Sequence, residues 1–301
     1  MRGCVKTLAQ PHLINISIKN KCSIPFSIYK THDNDGLLYA WFSSMHTRVD
    51  IILSCQKSEK ELMSAVNHIY DTLCQLERTA NYYDPSSELA LVNQAASTTP
   101  VVISQSLFSM IALCIEYHKK TIGCFDITIH SENYNQDTIH SIHLSPEASS
   151  IFFHQAGTAI NLSGFLKGYA LDRIKEIVNT HRIGNALISI GNSSILALGN
   201  HPSGMGWKVG FRNQTNSVQS DKDQSILLNN ECLTTSGNDS CERKHIISPW
   251  SGQPLEGVRQ VAVVTNDGTT GEVLSTSLFV ANQEQRKVLT AEFLPSIIID
   301  L

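Results

Sequence analysis

The chain lacks the marks of a disulfide-stapled, membrane-spanning or nucleic-acid-binding protein. None of its eight cysteines forms a CxxC pair, so neither a zinc knuckle nor a thioredoxin-type redox site is written into it. Cys74 and Cys114 sit among apolar neighbours, where a free thiol behaves as a small hydrophobe and implies a reducing compartment. Nowhere do about 18 apolar residues run together, the length a membrane-spanning helix needs. The opening MRGCVKTLAQPHLINISIKNKC has basic residues but neither an unbroken apolar segment nor a small-residue cleavage site, so a cytoplasmic location is the expectation. Charge is scarce too. Charged residues make up 17%, and 23 basic against 27 acidic side chains give a net −4 with no Lys/Arg run. Phosphate neutralisation needs clustered cations, so a nucleic-acid partner is not expected.

What is present suits a large globular body. With 301 residues, 42% of them hydrophobic, the chain can bury a substantial core without metal or disulfide. Residues 1–40 are polar and aperiodic and read as an N-terminal extension of unknown role; residues 41–301 read as one domain. His46 to Leu53 alternates and then turns apolar, as a strand entering a core does. Ser58-Glu-Lys-Glu61 has the form of a capping box, and Leu62, Val66, Ile69, Leu73 and Leu76 behind it step by four and three, predicting a helix. A second helix is predicted from about Ser104 to Gly123, turns and an edge hairpin between Asn133 and Thr158, and a short strand at Ala159–Leu162. Beyond these come a helix from Gly164 to Asn179, a strand pair over Ala186–Leu198 turned at Gly191-Asn-Ser-Ser194, strands at Trp207–Phe211 and Val258–Thr265, and a helix from Glu272 to about Thr290. Strands and helices mingle without a βαβ rhythm, so the expected class is α+β, mixed sheets with helices packed on their faces.

Four segments are too particular for plain scaffold. Tyr83-Asp-Pro-Ser-Ser-Glu-Leu-Ala-Leu-Val-Asn93 is a Pro/Ser turn leading into a possible helix cap. Gly123-Cys-Phe-Asp-Ile-Thr128 is a helix stop followed at once by an aromatic and a carboxylate. In Ile160-Asn-Leu-Ser-Gly-Phe-Leu-Lys-Gly-Tyr-Ala-Leu-Asp172, a turn opens a helix with Lys167 one turn in. A helix N-terminus beside a lysine attracts phosphate, although the spacing is not that of a Walker loop. The fourth constellation joins Thr234-Thr-Ser-Gly237, His245-Ile-Ile-Ser-Pro-Trp-Ser-Gly252 and the helix carrying Glu272, Ser275 and Thr276. Its oxygen donors suit Mg²⁺ or Ca²⁺, its carboxylates are too few to hold the ion alone, and its histidine is a possible acid/base.

In order and spacing, these segments resemble the flavin transferases of the ApbE family, from about Trp41 to Val288. The resemblance is carried by Met45-His-Thr47, Tyr83 to Leu89, Cys124-Phe-Asp-Ile-Thr128, Asn161 to Asp172, Thr235-Ser-Gly237, His245 to Gly252 and Gly271-Glu-Val-Leu-Ser-Thr-Ser-Leu278. It implies Mg²⁺-dependent transfer of FMN from FAD to a Thr or Ser hydroxyl of an acceptor protein, such as an FMN-binding redox subunit, with release of AMP. It also implies an FAD site lined by Met45, Tyr83, Cys124, Phe125, Asp126, Asn161, Lys167 and Ile247. The Gly164 carbonyl, Glu272 and Thr276 would hold Mg²⁺, and His245 would orient or deprotonate the attacking hydroxyl. The sequence departs from the family pattern where the ligand Asp is Glu272, the Asp opening the third motif is Asn161, and the Asp before Pro249 is Ser248. Ser275 stands where some members add a second Asp, Gly191-Asn-Ser-Ser194 interrupts the usual turn, and the interval from Thr128 to Asn161 is short. Two other activities therefore stay open: an FAD-binding homologue without transfer, and an FAD pyrophosphatase giving FMN and AMP.

Overall fold

The computed structural model describes residues 26–32, 35–210, 225–238 and 246–301. In chain order the elements are β1 (Phe26–His32), β2 (Asp35–Ser44), β3 (Thr47–Cys55), α1 (Glu59–Ala80), α2 (Glu88–Ala95), β4 (Val101–Val102), α3 (Gln105–Lys120), β5 (Ile142–Ser145), β6 (Ser150–Phe153) and α4 (Ser163–Thr180). They continue with β7 (Asn185–Ile190), β8 (Ser194–Leu198), β9 (Trp207–Gly210), β10 (Ser225–Leu228), β11 (Glu231–Asn238), β12 (Arg259–Thr265), α5 (Gly268–Val280), α6 (Gln283–Phe293) and β13 (Ile297–Asp300).

Eight strands form one sheet in the order β1-β2-β3-β7-β8-β11-β12-β13, with every pairing antiparallel. Alternation along the strands gives the sheet two apolar faces. Leu38, Ala40, Phe42, Val49, Ile51, Leu53, Ala186, Ile188 and Ile190 point into the main core beneath α1 and α4. On the opposite face Ile195, Ala197, Leu233, Ala262 and Val264 pack with Trp207 and Leu228 of the β9–β10 hairpin. Trp207 Nε1 donates to the Leu198 carbonyl at 2.8 Å, so this buried indole is hydrogen-bonded. Among the described residues, Cys74, Cys114, Cys124 and Cys232 are free thiols. No helix among the described residues is long and apolar enough to cross a membrane.

Capping settles where helices begin. Ser58 and Glu61 form the reciprocal capping box of α1, Ser87 caps α2 by accepting from Ala90 N, and Ser104 caps α3. Three expectations fare differently. Residues 26–40, assigned by sequence to an extension, supply β1 and half of β2, with Leu38 and Ala40 fully buried. Ala159–Leu162 is not a strand. Asn93 takes both backbone groups of Ile160, at 2.8 and 2.9 Å, Ser131 Oγ accepts from Ala159 N, and the Ile127 carbonyl accepts from Asn161 N, so this backbone is satisfied without a ladder. The helix expected from Glu272 to Thr290 is two helices. Asp267 caps α5 five residues earlier than expected, and Ala281 in extended conformation ends it before Asn282 starts α6 with its own capping box.

Candidate active site

A cleft of about 910 Å³ is bounded by the β2–β3 turn, the segment after α3, the start of α4, the β7–β8 turn, β11, α5 and the loop from Ile246. It lies at the upper end of the roughly 300–1,000 Å³ of small-molecule sites. Met45, Tyr83, Cys124, Phe125, Asp126, Asn161, Lys167, Ile247, Gly164, Glu272 and Thr276 all line it. Eleven of the twelve residues named from sequence thus face one space; the twelfth, His245, lies outside the described residues, although its neighbour Ile246 lines the same wall.

Each wall has a local cause. Met45 and His46 are the two central residues of the β2–β3 turn, with φ of +52° and +56°, as the type I′ geometry of a two-residue hairpin demands. Neither is glycine, so the turn is strained, and Glu77 of α1 ties it down. Its Oε1 accepts from Met45 N at 2.6 Å and its Oε2 from Ser44 Oγ at 3.0 Å. Asp126 is held by Thr128 N at 2.7 Å and Thr128 Oγ1 at 2.6 Å. Tyr134 OH donates to Asp126 Oδ2 and to the Pro249 carbonyl, both at 3.1 Å, tying the Asp126 loop to the loop after Ile246. Burial, helped by the Asp126 charge, pushes the Tyr134 phenol up and keeps it a donor. The Cys124 thiol is pushed up to about 12 by burial, so it meets the cleft as a neutral thiol and not as a nucleophile.

Asn161 lies just before Leu162, the N-cap residue of α4, and its Oδ1 accepts from Ser163 N at 2.9 Å, an Asx turn onto the first helical amide. Its Nδ2 lies 3.4 Å from His130 Nδ1, and burial holds His130 below its ordinary value, hence neutral at pH 7. Asn161 thus keeps the shape an Asp would supply there without bringing a charge.

The charged centre is where α4 crosses α5. A Cβ at Gly168 would stand 2.2 Å from the Gly268 carbonyl and 2.6 Å from Glu272 Cβ, so only glycine permits this approach. Asp172 of α4 accepts from Gly268 N at 2.7 Å, Thr269 N at 2.9 Å and Thr269 Oγ1, receiving the orphan amides of the α5 N-terminus. The close crossing places Lys167 Nζ 3.0 Å from Glu272 Oε1. The Glu272 side chain is only 5% exposed, and Ser194 Oγ donates to its Oε2 at 2.7 Å. Ser236 Oγ lies 2.8 Å from Ser275 Oγ and 3.0 Å from Thr276 Oγ1, making a hydroxyl cluster one turn along α5. Sequence reasoning missed Ser193 and Ser194 as partners of Lys167, reading them only as a turn; their signal was two adjacent hydroxyls in that turn. Tyr134, Glu77 and His130 were missed as well, and only contacts between remote segments reveal them.

A sequence model of the ApbE family matches residues 45–298. The chain belongs to the ApbE family. A FAD:protein FMN transferase of Treponema pallidum is 24% identical over 276 residues, covering 77% of this chain and 75% of that protein. One from Klebsiella pneumoniae is 23% identical over 278 residues, covering 82% and 83%. Among solved structures, the flavin transferase ApbE from Vibrio cholerae superposes with a TM-score of 0.74 at 18% identity, covering 88% of this chain and 96% of that one. The ApbE protein of Thermotoga maritima gives 0.73 at 21% identity, covering 88% and 94%. These two likenesses establish a shared α+β fold.

Proposed function

We propose that this ApbE-family chain transfers FMN from FAD to a Thr or Ser hydroxyl of an acceptor protein, releasing AMP. The observation that carries the reading is the convergence on one cleft of the α4 N-terminus, Lys167, the buried Glu272 and the Thr276 hydroxyl cluster, opposite a wall of Met45, Cys124, Phe125 and Ile247. A dinucleotide with an anionic pyrophosphate and a flat apolar ring needs both surfaces. In the reaction the acceptor oxygen bonds to the phosphorus on the flavin side, the bond from that phosphorus to the bridging oxygen breaks, AMP leaves with that oxygen, and the hydroxyl proton passes to a base. Lys167 and the first turn of α4 bind and orient the phosphates. His245 is the base in this reading.

Magnesium fits the donor chemistry, because Glu272, Thr276 and a Gly164 carbonyl offer only hard oxygens. Among the described residues no group of three or more His, Cys, Asp or Glu gathers as a metal cage, so substrate oxygens have to complete the shell. When bound there, Mg²⁺ would neutralise charge on the phosphoryl oxygens.

The test is incubation with FAD, Mg²⁺ and an FMN-binding redox subunit, read by in-gel flavin fluorescence and by AMP and FMN release. A fluorescent acceptor with equimolar AMP supports transfer. AMP with free FMN replaces it by the pyrophosphatase activity, and FAD retained intact replaces it by simple binding. His245→Ala, with FAD titration in parallel, should slow labelling on the order of a hundredfold while leaving affinity unchanged.

A further inference from the structure

Both oxygens of Glu272 are engaged within the protein itself. Oε1 faces Lys167 Nζ at 3.0 Å, and Oε2 accepts from Ser194 Oγ at 2.7 Å. The Lys167 ammonium also donates to Ser193 Oγ at 2.6 Å and Ser194 Oγ at 3.1 Å, so its three protons are spent on one carboxylate and two hydroxyls. The two partners differ in freedom. Glu272 is 5% exposed and Lys167 25%, and the glycine at 168 holds the Glu272 stem against α4. The carboxylate therefore cannot retreat, whereas the lysine has a four-carbon stem and a path toward the cleft.

An Mg²⁺ ion requires oxygen at about 2.0–2.1 Å in near-octahedral array, and an ammonium 3.0 Å from Oε1 opposes a dication on the same carboxylate by like-charge repulsion while it stays. We propose that Lys167 is the resident counter-cation of Glu272 and that this carboxylate accepts a divalent cation only by exchange, the ammonium swinging off toward the anion in the cleft. The identity of that anion as a dinucleotide pyrophosphate rests on the flavin-transfer reading; the exchange does not. Cation affinity is then low in the empty cleft, and cation and anion favour each other's binding through one mobile side chain.

The experiment compares Mn²⁺ binding, by loss of the free-ion paramagnetic resonance signal, in the full-length wild type, Lys167→Met and Lys175→Met. Lys175 lies on the same helix, its Nζ donating to the Asn266 carbonyl at 3.0 Å, and serves as the control. Lys167→Met should bind Mn²⁺ on the order of tenfold or more tightly than wild type, because it removes a like charge from beside the ligand oxygen, with Lys175→Met unchanged. Its melting temperature should fall and recover on Mg²⁺ addition by more than the wild type gains, because a buried carboxylate has lost its partner. Equal Mn²⁺ affinity in wild type and Lys167→Met overturns the proposal. Should Lys167→Met not fold, acylation of wild-type lysines by an activated ester, read by peptide mass spectrometry, decides. Lys167 labelling rises with Mg²⁺ while Lys175 labelling does not, and indifference of Lys167 to Mg²⁺ overturns the exchange. Parallel assay of AMP release separates the two claims: exchange without AMP release refutes transfer alone, and AMP release without exchange refutes the exchange alone.

Discussion

At Glu272 and Asn161 the sequence resemblance implies an aspartate, and each residue found there has a visible local accommodation. The Glu272 arm reaches Lys167 and Ser194, while Asn161 makes an Asx turn onto Ser163 N and turns its amide nitrogen toward His130. Glu272→Gln keeps an acceptor for Ser194 but removes the charge facing Lys167. The expected cost is about 1–3 kcal/mol, which for a chain of this size lowers the melting temperature by several degrees. AMP release from FAD should fall by on the order of a hundredfold or more if charge at this carboxylate serves the reaction; calorimetry and the AMP assay on the same preparation check both. His130 gives a pH prediction. Its folded value lies below the ordinary one because burial disfavours the imidazolium, so the unfolded chain takes up the proton first. The stability His130 contributes is fully present above its ordinary value of about 6.5 and is lost as pH falls through the lower folded value. Unfolding free energy plotted between neutral and acidic pH should therefore have a shallower acid-side slope in His130→Phe than in wild type; His181, also lowered chiefly by burial, keeps the slope from vanishing.

At the scale of elements, the site depends on how closely α4 approaches α5. Gly168 and Gly268 meet backbone to backbone, since a Cβ at Gly268 would stand 2.5 Å from the Gly168 carbonyl. Gly168→Ala therefore has to push the helices apart and carry Lys167 away from Glu272. The expected cost is about 1–3 kcal/mol of overpacking strain, with FAD affinity lost together with stability, as paired thermal unfolding and fluorescence titration would show. An Ala that leaves both unchanged would mean the crossing adapts without moving the ion pair. These elements were legible in sequence to very different degrees. Ser58, Ser87 and Ser104 announced helices because capping is a local interaction within four residues. The division of α5 from α6 was hidden because the apolar pattern runs through Ala281, and what breaks it is the competing Asn282 capping box. The strands β1 and β2 were hidden for another reason. β1 is a polar edge strand with little periodicity of its own, and β2, paired on both sides, is apolar on both faces from Leu37 to Phe42, so its period of two does not show in hydropathy.

For the whole molecule, what sequence could not convey is distance. The cleft joins Met45 at the β2–β3 turn to Gln260 of β12 and Leu301 beyond β13, with α4 and Glu272 of α5 also lining it, and the motifs named the segments without saying which would touch. Their order along the chain revealed membership in a family; the pairing of Lys167 with Glu272 and the bridge of Tyr134 from Asp126 to the Pro249 carbonyl depend on tertiary packing. A ligand spanning the cleft contacts elements from both ends of the sheet, so it should stabilise the fold globally and not one loop. At a hundredfold excess over its dissociation constant, a single-site ligand contributes about 2.7 kcal/mol, which for a chain of this length corresponds to roughly 4 °C in melting temperature. FAD with Mg²⁺ should produce a shift of that size in a single cooperative transition, whereas AMP and FMN, each filling part of the cleft, should each give less. Scanning calorimetry with each ligand at the same concentration is the check. If AMP alone matched FAD, the flavin half would be making no contact with the wall of Met45, Cys124 and Phe125, and the cleft would be a nucleotide site of another kind.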